Sequence, residues 1–359
     1  MLTLIQFTIW TKVTFLTKLI NDNFYSTTAL IRIVILFLSI HGLWSVCPKT
    51  DSIKPCVCDE DRESIACDGT QVTTEVLDKV FQTLSKNLNQ TERHLKSFHL
   101  KNSSITELKD NTFKDITFEE AFIGFNANLK TISRNAFNGS ETSMLYLLIN
   151  YNPGLSSPDN SIFKIFNEFQ KIQNIELLFN NITEIPSNAF NELDHLIEVH
   201  LGGESIKKIG ANVFSKLHGV AQVGFEQVNF SIPNNAFQFT NKSDDHLLIS
   251  FSDSPGLSNS VFTEKSLLKI NRPSTIRFGS WSGSKPSKQM TFLNEKVFLP
   301  FLLDNDKNAI DMNGVDFDCN DCRNYWLKKN TKALSKVIMI KCSNKKAFND
   351  AANFKNCSG

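Results

Sequence analysis

The sequence predicts an α/β solenoid. In it, an arc of about seven to nine coils carries a parallel concave β-sheet, a spine of phenylalanine rings and a disulfide cap at each end. Three observations predict it. A spaced apolar pattern returns seven times between residues 95 and 254. Phenylalanine, with 30 copies against 4 Trp and 4 Tyr, recurs at a matching step. The 8 cysteines divide four and four, with none between residues 68 and 318.

Composition removes several function classes. The 359 residues carry 38 Lys+Arg against 37 Asp+Glu, a net charge of +1. Such a chain is not a general polyanion binder, and nucleic acid is not an expected partner. A hydrophobic share of 41% with 21% charged residues argues against disorder. Gly 15 and Pro 10 exclude collagen-like or low-complexity material.

The first element is a targeting segment, residues 1–46. Arg32 precedes an uncharged run from Ile33 to Val46. A basic flank before a short apolar run reads as a secretory signal peptide, and the run falls short of the ~20 residues of a spanning helix. Met1–Ile20 is also apolar but is interrupted by Lys12 and Lys18, so a retained N-terminal anchor is the alternative. A membrane is expected as a partner only in that case. Without Lys12, Lys18, Arg32 and Asp22, the remainder has a net charge of −1.

Residues 47–94 form an N-terminal cysteine cap and lead-in, with Cys47, Cys56, Cys58 and Cys67. Residues 311–359 form a C-terminal cap with Cys319, Cys322, Cys342 and Cys357. An even count in a secreted chain argues for disulfides. The rival is a zinc site at Cys319-Asn-Asp-Cys322, but Cys342 and Cys357 lack ligand spacing, so no cofactor or metal is expected. Glycosylation sequons at Asn89, Asn102, Asn138, Asn181, Asn229 and Asn241 agree with secretion. A seventh, Asn356, has Cys357 as its middle residue.

Residues 95–310 hold the repeats. The pattern is apolar, two variable, apolar, one variable, apolar, two variable, then often Asn. It starts at Leu95, Phe118, Met144, Ile172, Leu196, Val220 and His246, in steps of 23, 26, 28, 24, 24 and 26. Phe113, Phe137, Phe163, Phe190, Phe214, Phe237 and Phe262 follow at steps of 24, 26, 27, 24, 23 and 25. A constant step predicts one ring per coil, stacked opposite the strands. Asn126, Asn152 and Asn180 close their strands, where an amide can pair turn groups that no strand satisfies. Glu204, Val228 and Ser254 replace Asn in coils five to seven, which are therefore expected to be less regular. Ile276–Phe278 with Val297 and Phe298 is expected to form an eighth coil, carrying an insertion at Ser280–Lys288.

With both caps and the repeat in view, the chain from Cys47 to Cys357 resembles secreted leucine-rich-repeat proteins with cysteine caps at both ends. Cys47-x8-Cys56-x-Cys58-x8-Cys67 is similar to the N-terminal cap. Phe317-Asp-Cys319-Asn-Asp-Cys322-Arg-Asn-Tyr-Trp326-Leu327 is similar to the C-terminal cap, with CxxC in place of the usual CxC. The resemblance implies the pairs Cys47–Cys58, Cys56–Cys67, Cys319–Cys342 and Cys322–Cys357. The Asn-Ala-Phe triplets and the Asn152-Pro-Gly-Leu155 turn most resemble an arthropod group. That group is similar to the non-catalytic subunit of the Oplophorus-luciferin 2-monooxygenase, which implies a binding role and nothing about light emission.

The variable strand positions point away from the core. Phe122, Tyr146, Leu148 and Leu178 make an apolar group there with no core duty, bordered by Glu176 and His200. These six residues are the candidate partner-binding site, because exposed apolar clusters mark partner sites. The same cluster also reads as a register error or as a patch covered by glycan or dimer contact. The C-terminal cap carries Arg323, Lys328, Lys329, Lys332, Lys336, Lys341, Lys345, Lys346 and Lys355 against Asp350 alone. A glycan or other polyanion could use this run, but the preferred reading is a solvated helix face.

No HExxH, Walker, GxSxG or dinucleotide-binding motif occurs, so no catalytic residue and no enzyme activity are expected. The expected function is an extracellular, non-catalytic protein-binding scaffold. The alternative is an accessory subunit stabilising a secreted enzyme, and the outsider is a membrane-anchored receptor-like protein.

Overall fold

Each copy of the apolar pattern becomes a strand, because alternate residues of an extended chain face opposite sides. The computed structural model describes residues 47–357, apart from 49, 192, 229, 253, 255–256 and 280–289. Residues 1–46, expected to be a targeting segment, the sequon at Asn229 and the insertion expected at Ser280–Lys288 lie outside the described residues.

Twelve strands among the described residues form one sheet. It opens with Val57–Asp59, antiparallel to Ser64–Asp68. From there every pairing is parallel. Coils one to four contribute His94–Lys101, Thr117–Gly124, Tyr146–Asn150 and Asn174–Leu178. Coils five to eight contribute Glu198–Gly202, Gln222–Glu226, Leu247–Ser252 and Ser274–Phe278. Ala309–Asp311 follows, and Val337–Ile338 closes the sheet.

One residue in two on each strand faces inward. Phe98, Ala121, Leu147, Ile175, Val199, Val223, Ile249 and Ile276 are aligned across the sheet, and all are buried. Behind them lies the phenylalanine spine. Phe113 meets Phe137 at 4.9 Å, and Phe190 stacks on Phe214 at 5.9 Å with planes 11° apart. Phe214 stacks in turn on Phe237 at 5.5 Å. Between these runs, the helix Ser161–Phe166 sets Phe163 and Phe166 each 6.3 Å from Phe190. Burying one such ring contributes about 2–3 kcal/mol, and a single coil has no neighbour to bury it against.

The predicted eighth coil has its strand at Ser274–Phe278. Val297 and Phe298 lie on its returning side, in the helix Glu295–Asp304. Phe298 packs against Phe262 at 5.4 Å and Phe278 at 5.9 Å, which extends the spine towards the C-terminal cap.

Asn126, Asn152 and Asn180 form a buried ladder. The Asn152 side-chain oxygen accepts from the backbone N–H and the side-chain amide of Asn126, at 3.1 and 3.0 Å. Its amide donates to the Ile123 carbonyl and to Asn180 Oδ1, both at 3.0 Å. Coils five to seven differ from expectation, because their sheet register continues without a break over five residues per strand. The irregularity lies on the far side instead. Coils four and five still pair short strands there, Glu184–Ile185 with Lys208–Ile209, whereas coils six and seven share a single bridge, Ile232 to Phe262. Strand pairing depends on inward apolar residues, which these coils keep, and not on the ladder amide, which they lose.

The first coil is sealed by the helix Thr74–Asn87, which Thr73 caps by accepting from the Val76 N–H. Its buried Leu77, Val80, Phe81 and Leu84 face the core, and Phe81 lies 5.4 Å from Phe98 and 4.9 Å from Phe113. Cys47–Cys58 and Cys56–Cys67 bridge the N-terminal cap, and Cys319–Cys342 and Cys322–Cys357 bridge the C-terminal cap. Disulfides thus close both ends of the solenoid. Trp326 anchors the second cap by donating its indole N–H to the Leu293 carbonyl at 2.9 Å.

Candidate protein-binding face

The outward residues of coils two to six align in rows set by the strand register. One row reads Glu120, Tyr146, Asn174, Glu198, Gln222, and the next reads Phe122, Leu148, Glu176, His200, Gly224. A third reads Gly124, Asn150, Leu178, Gly202, Glu226. These fifteen positions hold four Glu and neither Lys nor Arg.

The structure brings Phe122, Tyr146, Leu148, Glu176 and His200 onto this face with part of each side chain accessible, Tyr146 at 39%. Leu178 departs from the expected exposed group and is only 7% exposed. It points outward but lies flat over Gly202, and a Cβ built on that glycine would sit 2.9 Å from Leu178 Cδ2. Leu178 is therefore the floor of the face and not a free contact. His200 lies over Gly224 in the same way and approaches Gln222 at 3.2 Å. Glu176 is held by Asn150, whose amide donates to its Oε1 at 2.7 Å.

At the coil-one end the apolar group continues into His99, whose ring lies 6.2 Å from Phe122, and Lys101 Nζ sits 5.3 Å over the Phe122 ring. Burial pushes the His99 imidazole below its ordinary value, although Glu120 opposes the shift.

Sequence reasoning missed a second group at the rim. The residue just before each ladder asparagine is aromatic: Phe125, Tyr151 and Phe179. Their rings stack, Phe125 on Tyr151 at 4.8 Å and 4°, and Tyr151 on Phe179 at 4.6 Å and 19°. Phe125 and Tyr151 are 49% and 42% exposed. All three have left-handed backbone, with φ of 60°, 56° and 55°. Coil five places Gly203 at the same turn, at φ 112°, and coils one and six place Asn102 and Gln227 there, at φ 50° and 47°. The turn therefore requires a left-handed residue but no ring. An aromatic residue there costs about 1–2 kcal/mol of backbone strain, and each stacked pair returns about 0.5–1.5 kcal/mol. The visible signal was the triplet of dipeptides Phe125-Asn126, Tyr151-Asn152 and Phe179-Asn180. Partial burial, and then the charges of Glu226 and Glu176, push the Tyr151 hydroxyl above its ordinary value.

The pattern of the BspA type leucine rich repeat region matches in six copies, over residues 65–144, 82–171 and 162–282. The matches span more than half of the chain. The chain belongs to the leucine-rich-repeat family. This leucine-rich-repeat protein is 26% identical over 185 residues to the Oplophorus-luciferin 2-monooxygenase non-catalytic subunit of Oplophorus gracilirostris. The match covers 51% of this chain and 49% of the relative, so the chain spans about half the length of the curated relative it matches. Among solved structures, human 5T4 (Wnt-activated inhibitory factor 1, trophoblast glycoprotein) is similar with a TM-score of 0.46 and 12% identity, over 83% of this chain and 92% of that one. The TLR13–ssRNA13 complex is similar with a TM-score of 0.40 and 16% identity, over 69% of this chain and 38% of that one.

Other expected sites on the leucine-rich-repeat protein are dispersed. Asn89, Asn102, Asn181 and Asn241 are exposed, while Asn138 is half-buried and donates to Asn111 at 2.8 Å. Five of the nine basic residues of the C-terminal cap are engaged within their own chain, while Lys341, Lys345, Lys346 and Lys355 are exposed. Arg323 pairs with Asp321 and covers the Phe292 ring at 3.6 Å. Lys332 pairs with Asp306 at 3.1 Å, and Lys336 donates to the Leu302 and Asn305 carbonyls. Lys328 and Lys329 lie over Phe354 and Tyr325. Elution from heparin below physiological salt is the expected result, and retention above it would establish a polyanion site. Among the described residues no group of three or more His, Cys, Asp or Glu is placed to hold a metal, and no helix is long and apolar enough to cross a membrane.

Proposed function

We propose that this chain is an extracellular, non-catalytic scaffold that binds a protein partner on the open face of coils two to five. One observation carries the reading: Phe122, Tyr146 and Leu148 form an accessible apolar group on a rigid sheet, in rows that hold no Lys or Arg. Rigid strands keep the ordering cost of binding low, and a central apolar group bordered by polar residues is the usual anatomy of an interface. Four disulfides support an oxidising, extracellular setting.

The relative's name favours a second reading, an accessory non-catalytic subunit that stabilises a secreted enzyme. It differs from the first only in the partner's identity. A membrane-anchored form would depend on residues 1–46.

Phe122→Asp and Leu148→Asp are each expected to abolish partner pull-down from the native source. Secretion and the circular dichroism spectrum should be unchanged, since neither ring nor isobutyl group faces the core. Unaltered pull-down by both variants would remove this face from the interface. Assay of the purified chain alone for turnover, beside co-purification with a second polypeptide, separates scaffold, subunit and enzyme.

A further inference from the structure

We infer that the rim stack Phe125–Tyr151–Phe179, together with Glu176 and Glu226, is a docking site for an arginine side chain of a protein partner. This rests on the protein-binding reading of the same face and names the chemistry that the partner must present.

Three observations converge. The first is the rings themselves. The turn that holds them is satisfied by Gly203 in coil five and by Asn102 and Gln227 in coils one and six, so three aromatic residues in left-handed backbone are not a requirement of the coil. Strained residues persist where function uses them. Phe125 and Tyr151 are also among the most exposed large apolar residues described.

The second is charge. The outward rows of coils two to six contain Glu120, Glu176, Glu198 and Glu226 and neither Lys nor Arg, and Lys101 of coil one, aligned with Gly124, lies over the Phe122 ring. The rim positions of coils two to six, Phe125, Tyr151, Phe179, Gly203 and Gln227, add no Lys or Arg. The face is thus acidic and aromatic together, complementary to a cation that can also stack.

The third is placement. Glu176 is fixed by Asn150, the residue before Tyr151. The Glu226 backbone is linked to the rim through coil five, where the Gly203 N–H donates to the Glu226 carbonyl at 2.9 Å and the Phe179 N–H donates to the Gly202 carbonyl at 3.0 Å, and the charges of Glu226 and Glu176 are both felt at the Tyr151 hydroxyl. A Cβ on Gly202 would lie 3.0 Å from Glu226 Cβ, so the absent side chain lets the two sides close together. A guanidinium suits this arrangement better than an ammonium. It is planar, stacks on aromatic rings and donates two parallel hydrogen bonds to a carboxylate. Lysine offers the same charge without the plane.

The test uses the secreted chain and two fluorescein-labelled probes, nona-arginine and nona-lysine, read by fluorescence anisotropy. Nona-arginine is expected to bind at least about tenfold tighter than nona-lysine, the margin set by stacking and bidentate contact. Tyr151→Gly and Glu226→Gln are each expected to weaken nona-arginine at least about fivefold. Glycine is native at this turn in coil five, so the melting temperature of Tyr151→Gly should not fall. Phe125→Gly repeats the test if it does. Equal affinity for the two peptides, no binding, or nona-arginine binding untouched by the glycine variants overturns the proposal. So does a preference for neutral chitohexaose over nona-arginine, which would make the rim a glycan platform. Loss of pull-down in Phe122→Asp with peptide binding insensitive to Tyr151→Gly sinks the arginine site alone. Unchanged pull-down in Phe122→Asp and Leu148→Asp, with peptide binding intact, sinks the broader face and leaves the rim site standing.

Discussion

Phe214→Ala is expected to lower the stability of the folded chain by about 3–5 kcal/mol, the range for removing a fully buried aromatic ring. Phe214 has no solvent exposure and touches rings on three sides: Phe190 at 5.9 Å, Phe237 at 5.5 Å and Phe225 at 6.2 Å. Neighbouring coils cannot collapse into the hole, because their spacing is set by the sheet hydrogen bonds on the other side. In a solenoid each coil contacts mainly its neighbours, so a central defect also weakens coupling between the two halves. Urea unfolding of the purified chain, with disulfides intact, should show an earlier midpoint and a broader transition. A midpoint within error of the parent would mean that the spine does not join the coils.

Asn152→Leu is expected to cost at least about 3 kcal/mol, although leucine is a larger apolar residue in a buried place. The substitution orphans the Asn126 backbone N–H, the Ile123 carbonyl and one side of Asn180 Oδ1. Each buried polar group left unpaired costs about 1–3 kcal/mol. Hydrogen exchange of the Asn126 and Asn180 turns should quicken before the global midpoint moves far, since the ladder holds turns and the strands hold the sheet. Coils five to seven already lack this asparagine and keep their register, so Asn152→Leu should loosen the rim and not unzip the strands. A variant as stable as the parent would show that solvent can satisfy these turns.

Much of the architecture was legible in particular residues. The apolar starts from Leu95 to Val220 marked the inward side of six coils, whereas His246 at the seventh start is exposed and Leu247 takes the inward place; the spaced Phe marked the side opposite. This works because a coil's length is constrained by its neighbours, so geometry imprints a period on the chain. Leu178 shows where reading stopped. Its place in the pattern put it outward, and it is outward, but Gly202 one coil away lets it lie down and bury. No residue near Leu178 in sequence reports that contact. The helix Thr74–Asn87 was hidden for a related reason. Its apolar residues were plain, but only the exposed end of coil one explains why they fold as a lid. The rim stack was readable as three aromatic–asparagine pairs, yet its exposure depended on the backbone turning left-handed there.

The sequence by itself determined the period, the inward and outward faces, and the oxidised ends, since these follow from side-chain alternation and spacing. The tertiary structure alone decided which outward residues remain accessible and which lie across a neighbour. Accessibility is a property of adjacent coils some two dozen residues apart, brought together only when the sheet forms.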